Sequence, residues 1–204
     1  MMKGLELGHF IAEFISVTVA SDAAKVSNTT GTSLHHATLN LATFLGWTSF
    51  SAVMMAMARS VIAEAVADQI TDTVNGNLVQ IYSTSYNMSW ALLQNRYEGY
   101  WKAYKDNSNP GGPGFNMAKY FIACCRQGDR YVDYERLIVD PDELERVPQE
   151  ELNLETVRQL RELKARGQHA TYTLGLELSQ TAGLLGSYFS AWHEAVESLL
   201  QQHA

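Results

Sequence analysis

From Val26 to Ala58 the chain runs through 33 consecutive residues with no Asp, Glu, Lys or Arg, and from Thr73 to Asn95 through another 23. Runs of that length carry no charge to hold them at a water interface, so they must be covered, by protein or by lipid. Neither contains a proline: Pro110, Pro113, Pro141 and Pro148 are the only four, which leaves the first half and the last quarter of the chain open to long helices. Charge is concentrated elsewhere, with 19 of the 37 charged side chains in residues 126–166. The pattern is two charge-poor arms separated by a charged insert.

The apolar spacing predicts a helix over about 5–25, with Leu7, Phe10, Ile11, Phe14, Ile15 and Val19 on one broad side. Ser27 to Ser33 reads as a loop, with Ser33 as the cap of the next helix. From about 34 to 106 a helical pattern continues with little interruption: Leu41, Leu45, Thr48, Ala52, Met55, Arg59 and Ile62 keep heptad spacing, then Val66, Ile70, Val74 and Leu78 step by four. One helix over that span would exceed about 100 Å. The alternative is two helices, broken at Asn75-Gly76-Asn77. Asn107 to Gly114 is a Pro/Gly turn, a short helix is expected over Met117–Arg126, and residues 130–139 are the strand candidate. The organisation read from the sequence is a helical arm over 1–107, a turn and charged insert over 108–152, and a long C-terminal helix over 153–204.

That last helix carries two patterns. Gly175, Ser179, Gly183, Ser187, Ala191 and Ala195 form a row of small residues at every fourth position. Beside it Leu178, Ala182, Leu185, Phe189, Trp192, Val196 and Leu199 alternate spacings of four and three, as a coiled-coil stripe does. Together they predict close packing of this helix on a neighbour, antiparallel to the long central helix. His193 and Glu194 fall on the flank expected to face solvent.

Chemistry-bearing motifs are scarce. A di-metal bundle site needs two Glu-x-x-His motifs and two further Glu residues; only Glu6-Leu7-Gly8-His9 matches, so a metal-binding or enzymatic bundle would have to combine Glu6, His9, Glu64 and a distant His. Adjacent His35 and His36 point about 100° apart on a helix and read as polar residues at its start. The neighbouring Cys124 and Cys125 are poorly placed to bond to each other, provide no metal quartet, and read as buried thiols in a reducing compartment. No nucleophile elbow or phosphate loop occurs, and no cofactor is called for.

A net charge of −7 disfavours nucleic acid, and the basic cluster Arg158, Arg161, Lys164 and Arg166 is interleaved with Glu155 and Glu162. Glu6, His9 and Glu13 interrupt the apolar centre that a secretory signal would need. Leu41–Ala58, with Leu41, Phe44, Leu45, Trp47, Phe50, Val53, Met54 and Met57, is an 18-residue uncharged segment at the lower edge of membrane-spanning length. In composition alone, long helices rich in Ala, Ser, Thr and Met resemble those of phage internal virion proteins and pore-forming helical toxins. The resulting expectation is a mostly α-helical, non-enzymatic assembly protein, a long-helix hairpin or bundle. Its expected partners are further copies of itself or other proteins of a virion, secretion apparatus or pore, with conditional membrane contact. The competing expectations are a helical metal-binding protein or enzyme, and a protein-binding module acting through the charged insert.

Overall fold

In the helix Leu34–Ala58, thirteen consecutive residues, Ala37 to Ser49, are buried. A helix covered on every side must lie inside a bundle, and the other helices are arranged around it. The computed structural model describes residues 4–106, 112–134 and 169–203, and for 169–177 the backbone alone. The protein is mostly helical, with no strand among the described residues. Its helices are α1 (Gly4–Thr30), α2 (Leu34–Ala58), α3 (Glu64–Tyr86), α4 (Trp90–Lys105), α5 (Gly112–Gln127) and α6 (His169–His203).

The stretch expected as one rod or two helices over 34–106 is three. Its breaks are not at Asn75-Gly76-Asn77, which lies inside α3, but at residues 59–63 and 87–89. Both breaks are made by non-glycine residues in the left-handed conformation, Ser60 at φ 59° and Asn87 at φ 55°. At the first, Ser60 N–H bonds to the Met57 carbonyl and Val61 N–H to that of Ala56, the paired bonds of a Schellman cap. At the second, Asn87 N–H bonds back to Ser83 and the side chain of Met88 is buried. Helix α1 continues to Thr30, beyond the expected end, and stops at Gly31 (φ 61°). Ser33 caps α2 as expected, its hydroxyl accepting from His36 N–H at 3.2 Å. Helix α5 begins at Gly112, inside the expected turn, and is core. Of the strand candidate, residues 130–134 form no strand and the remainder lies outside the described residues, as do residues 153–168 and the basic cluster.

Side-chain pairs give the directions. Asn40, Phe44 and Trp47 of α2 meet Arg96, Tyr100 and Tyr104 of α4, so these helices run parallel. Phe44, Asn40 and His36 meet Phe121, Cys124 and Gly128, so α5 runs the other way. Trp47, Ser49 and Arg59 meet Phe189, Trp192 and Glu197: α6 is parallel to α2, not antiparallel. It is antiparallel instead to α1, through Asp22–Tyr188 and Phe14–Trp192. The simple hairpin of two long helices is therefore replaced by a bundle in which α6 closes the gap between α1, α2 and α5.

Two features fix the packing. The first is a row of small residues on α1, Gly4, Gly8 and Ala12, all buried. A Cβ on Gly8 would stand 2.5 Å from Thr73 Cβ and 3.0 Å from the Ile70 carbonyl oxygen, so α1 and α3 touch nearly backbone to backbone. The second is Arg96, fully buried on α4. Its Nε donates to Asn40 Oδ1 (3.1 Å), Nη1 to Asn95 Oδ1 (3.0 Å), and Nη2 to the carbonyls of Gly128 (2.7 Å) and Arg130 (2.8 Å). Those two carbonyls come after the C-terminal end of α5, where a cation is favoured by the helix dipole. Asn40 Nδ2 donates to the Cys124 carbonyl at 3.1 Å, so α2 and α4 together receive the end of α5.

Gly8→Val is expected to destabilise the fold by about 1–3 kcal/mol through overpacking. Gly76→Ala, with open space at the Cβ position, should gain about 0.5–1 kcal/mol. Arg96→Met strands several buried acceptors and should cost about 3 kcal/mol or more. Urea midpoints of the three variants against the parent check all three.

Candidate interaction surface

Packing of α1, chiefly on α2 and α3, leaves Leu7, Ile11, Ile15 and Val19 buried, but Phe10 and Phe14, expected on the same buried side, are 49% and 44% exposed. They sit at the edge of the α1 apolar arc, where α6 packs less extensively than α2 and α3 do. Phe14 stacks on Trp192 with ring centroids 4.6 Å apart. Together with Ile11, Val196 and Leu199 they line an open cleft of about 230 Å³. That is below the roughly 300–1,000 Å³ of small-molecule sites and suits a few side chains of another helix. One turn on from Phe14, Val17 is 61% exposed.

Along the adjoining face of α6 lie Ser179, Gly183, Ser187, Ala191 and Ala195, all exposed. A Cβ on Gly183 would meet nothing within 4 Å. The spacing of this row predicts a docked face; among the described residues nothing docks on it, and the neighbouring stripe does the packing. Leu185, Trp192 and Val196 are buried, while Leu178, Ala182, Phe189 and Leu199 are half-buried against the core. The surroundings of Gly175 lie outside the described residues. The row carries no side chain larger than a methyl or hydroxymethyl, and at its Ala195 end it reaches the cleft lined by Phe10 and Phe14.

His193 does not lie on the solvated flank. Its side chain is 13% exposed, packed against the Phe189 ring with centroids 5.5 Å apart and planes tilted by 34°, and with Nδ1 3.9 Å from Glu197 Oε1. Glu194, by contrast, is exposed.

The candidate membrane segment is largely interior. Leu41, Phe44, Leu45, Trp47 and Val53 are buried, Phe50 and Met57 half-buried, and Met54 exposed. The helix Leu34–Ala58 has the length and apolar character to cross a membrane, with a mean hydropathy of 1.4. Here that apolar surface is taken up by the five helices around it.

Side chains with reactive potential are engaged in the fold. His9 Nδ1 lies 3.1 Å from Asn77 Nδ2 on the surface, Glu6 and Glu64 are exposed, and no cluster of three or more His, Cys, Asp or Glu residues occurs among the described residues. Cys124 and Cys125 are free and buried. Burial pushes the Cys124 thiol up to about 11, although the Arg96 guanidinium pulls the other way; burial also raises Cys125, reinforced by Cys124. Neither is a nucleophile at neutral pH. Three polar atoms of one aromatic cluster, Trp47 Nε1, Tyr100 OH and His193 Nε2, are buried without a hydrogen-bond partner among the described residues.

Comparison with protein-family models, curated proteins and solved structures gave no match.

Sequence reasoning missed the inward row of α1 and the buried Arg96. Gly4, Gly8, Ala12 and Ser16 repeat the four-residue spacing of the α6 row. Arg96 stands four residues after Leu92 and four before Tyr100, a core register for a charged residue.

Both thiols are expected to be inert to an aqueous disulfide reagent in the native protein and to react fully in denaturant. Rapid stoichiometric labelling of the folded chain at pH 8 would contradict the burial.

Proposed function

We propose that the protein is a non-enzymatic helical subunit that associates with copies of itself, as part of a larger assembly such as a virion, a secretion apparatus or a pore. The observation that carries this reading is the α1–α6 face, where the exposed Phe10 and Phe14, with Val17 one turn on, border an open cleft that Ala195, the last residue of the exposed α6 row, also lines. A contiguous apolar ridge at a helix–helix junction is the kind of surface that marks an interaction site. A symmetric contact between identical chains requires a self-complementary patch, and the exposed rings of Phe10 and Phe14 beside the open cleft offer both a protrusion and a recess. The α6 row supplies the close approach and its flanks a coiled-coil-like contact. The burial of Leu41, Phe44, Leu45 and Trp47 argues that any membrane contact comes after assembly or an opening of the bundle.

The expected solution state is an oligomer whose mass by light scattering after size exclusion rises with concentration. Gly183→Leu fills open space within the chain, so its thermal midpoint should stay near that of the parent while its mass falls toward the monomer. Phe10→Ala should weaken association by about 2 kcal/mol, roughly 30-fold in dissociation constant. Gln80→Leu on exposed α3 should change neither. A monomer at all concentrations, or identical masses for Gly183→Leu and parent, removes the proposal.

A further inference from the structure

We infer that His193 is an acid-released latch: its neutral ring holds the C-terminal half of α6 against α2, and its protonation lets that half of the helix detach. Helix α6 is tied to other helices by three polar contacts at successive turns. Tyr188 OH donates to Asp22 Oδ2 (2.8 Å), Trp192 Nε1 donates to Ser49 Oγ (2.7 Å), and Arg59 Nη1 pairs with Glu197 Oε1 (2.8 Å). His193 lies between the second and third. Its ring rests on Phe189, which in turn lies 5.8 Å from Trp47 and 6.4 Å from Tyr104.

A neutral imidazole fits this setting and an imidazolium does not. With its proton on Nδ1, toward Glu197, a neutral ring leaves at Nε2 only a lone pair facing apolar surroundings. Protonation puts a second N–H at Nε2, which has no acceptor among the described residues and no contact with water. Among the described residues Glu197 is the anion acting on the ring, and at 3.9 Å it is beyond hydrogen-bond distance and already committed to Arg59. Arg59, at the end of α2, is the cation acting on it among those residues and repels the charged form. Tyr104 of α4 packs on the same Phe189 as a phenol. Burial, with Arg59 and against Glu197, holds the His193 pKa below its ordinary 6.5. Because the unfolded or detached ring binds protons more readily, docking of α6 is fully supported above about pH 6.5 and weakens as the pH falls through the lower value of the docked ring. Asp22, held low by its bonds from Ser21 and Tyr188, remains an acceptor through that range. The release is therefore local to the end of α6, where Trp192, Val196 and Leu200 would be uncovered.

The test is hydrogen exchange, corrected for intrinsic rates, at pH 7.5 and pH 5.5 on the wild-type chain and on His193→Gln. The expected result is that residues 189–203 of the wild type exchange several-fold faster at the lower pH, that α3 does not, and that the Gln variant shows no such change. An equal rise in both proteins, a rise spread over α3, or no rise in the wild type overturns the latch. Should His193→Gln fail to fold, nitrogen chemical shifts of the wild-type histidine rings decide. A His193 ring that becomes charged while the α6 amides stay protected overturns the proposal, and protonation concurrent with loss of protection supports it. The outcome is independent of whether the α1–α6 face joins copies of the chain.

Discussion

The guanidinium of Arg96 is the contact on which the rest of the bundle depends. It leaves water entirely and takes no carboxylate among its bonded partners. Its charge is met by two amide oxygens and by carbonyls just past the end of α5. Such a group is costly to bury and tolerable only when its donors are satisfied with good geometry. That requirement makes it specific: α4, α2 and the segment after α5 must all be in place at once. Gly128 adds a second constraint, since its φ of 65° and the imidazole of His36, 2.4 Å from where a Cβ would stand, exclude a side chain. Asn95 continues the arrangement, exchanging hydrogen bonds with Val132 N–H and carbonyl, so the chain beyond α5 is laid along α4. A polar centre therefore sets the register that the apolar contacts then fill.

Much of the fold was legible because uncharged, proline-free runs with helical spacing have few other ways to be stable. The burial of α2, the Ser33 cap and the buried thiols could be read from residue type and local position. Helix number could not, because Ser60 carries little preference for the left-handed conformation and Asn87, though a residue type that adopts it, stands without a neighbouring glycine or proline to mark a turn, whereas Asn75-Gly76-Asn77, a stronger turn signal, lies inside α3 between the buried Val74 and Leu78. Helix direction was equally out of reach: a stripe of apolar residues declares that a face is covered, not by which neighbour or in which sense.

The two rows of small residues have the same spacing and opposite fates. Gly4 and Gly8 face α3 at backbone distance, while Gly183, Ser187 and Ala191 are exposed among the described residues. Spacing alone does not distinguish them. What does is the company each keeps. The α1 row shares its helix with Phe10 and Phe14 on the adjacent arc, and so does its close packing on one side while offering a ridge on the other. The α6 row is flanked by Leu185, Trp192 and Val196, which satisfy the core without it. The candidate surface thus arises where the interior needs of two helices are met and a patterned face is left over.

The antiparallel seating of α6 on α1 has a consequence for how the molecule is made. Asp22 and Tyr188 are 166 residues apart, and Trp192 must reach Ser49 across 143. A chain emerging from the ribosome presents α1 and α2 early, with one flank of each bare until α6 has been translated. During that interval Ile11, Phe14 and the side of Trp47 that meets Phe189 are open to any apolar surface nearby, including another nascent copy. Closure by the late helix is then a timed event as well as a structural one, and sites of encounter between growing chains would coincide with the flank that α6 eventually shields.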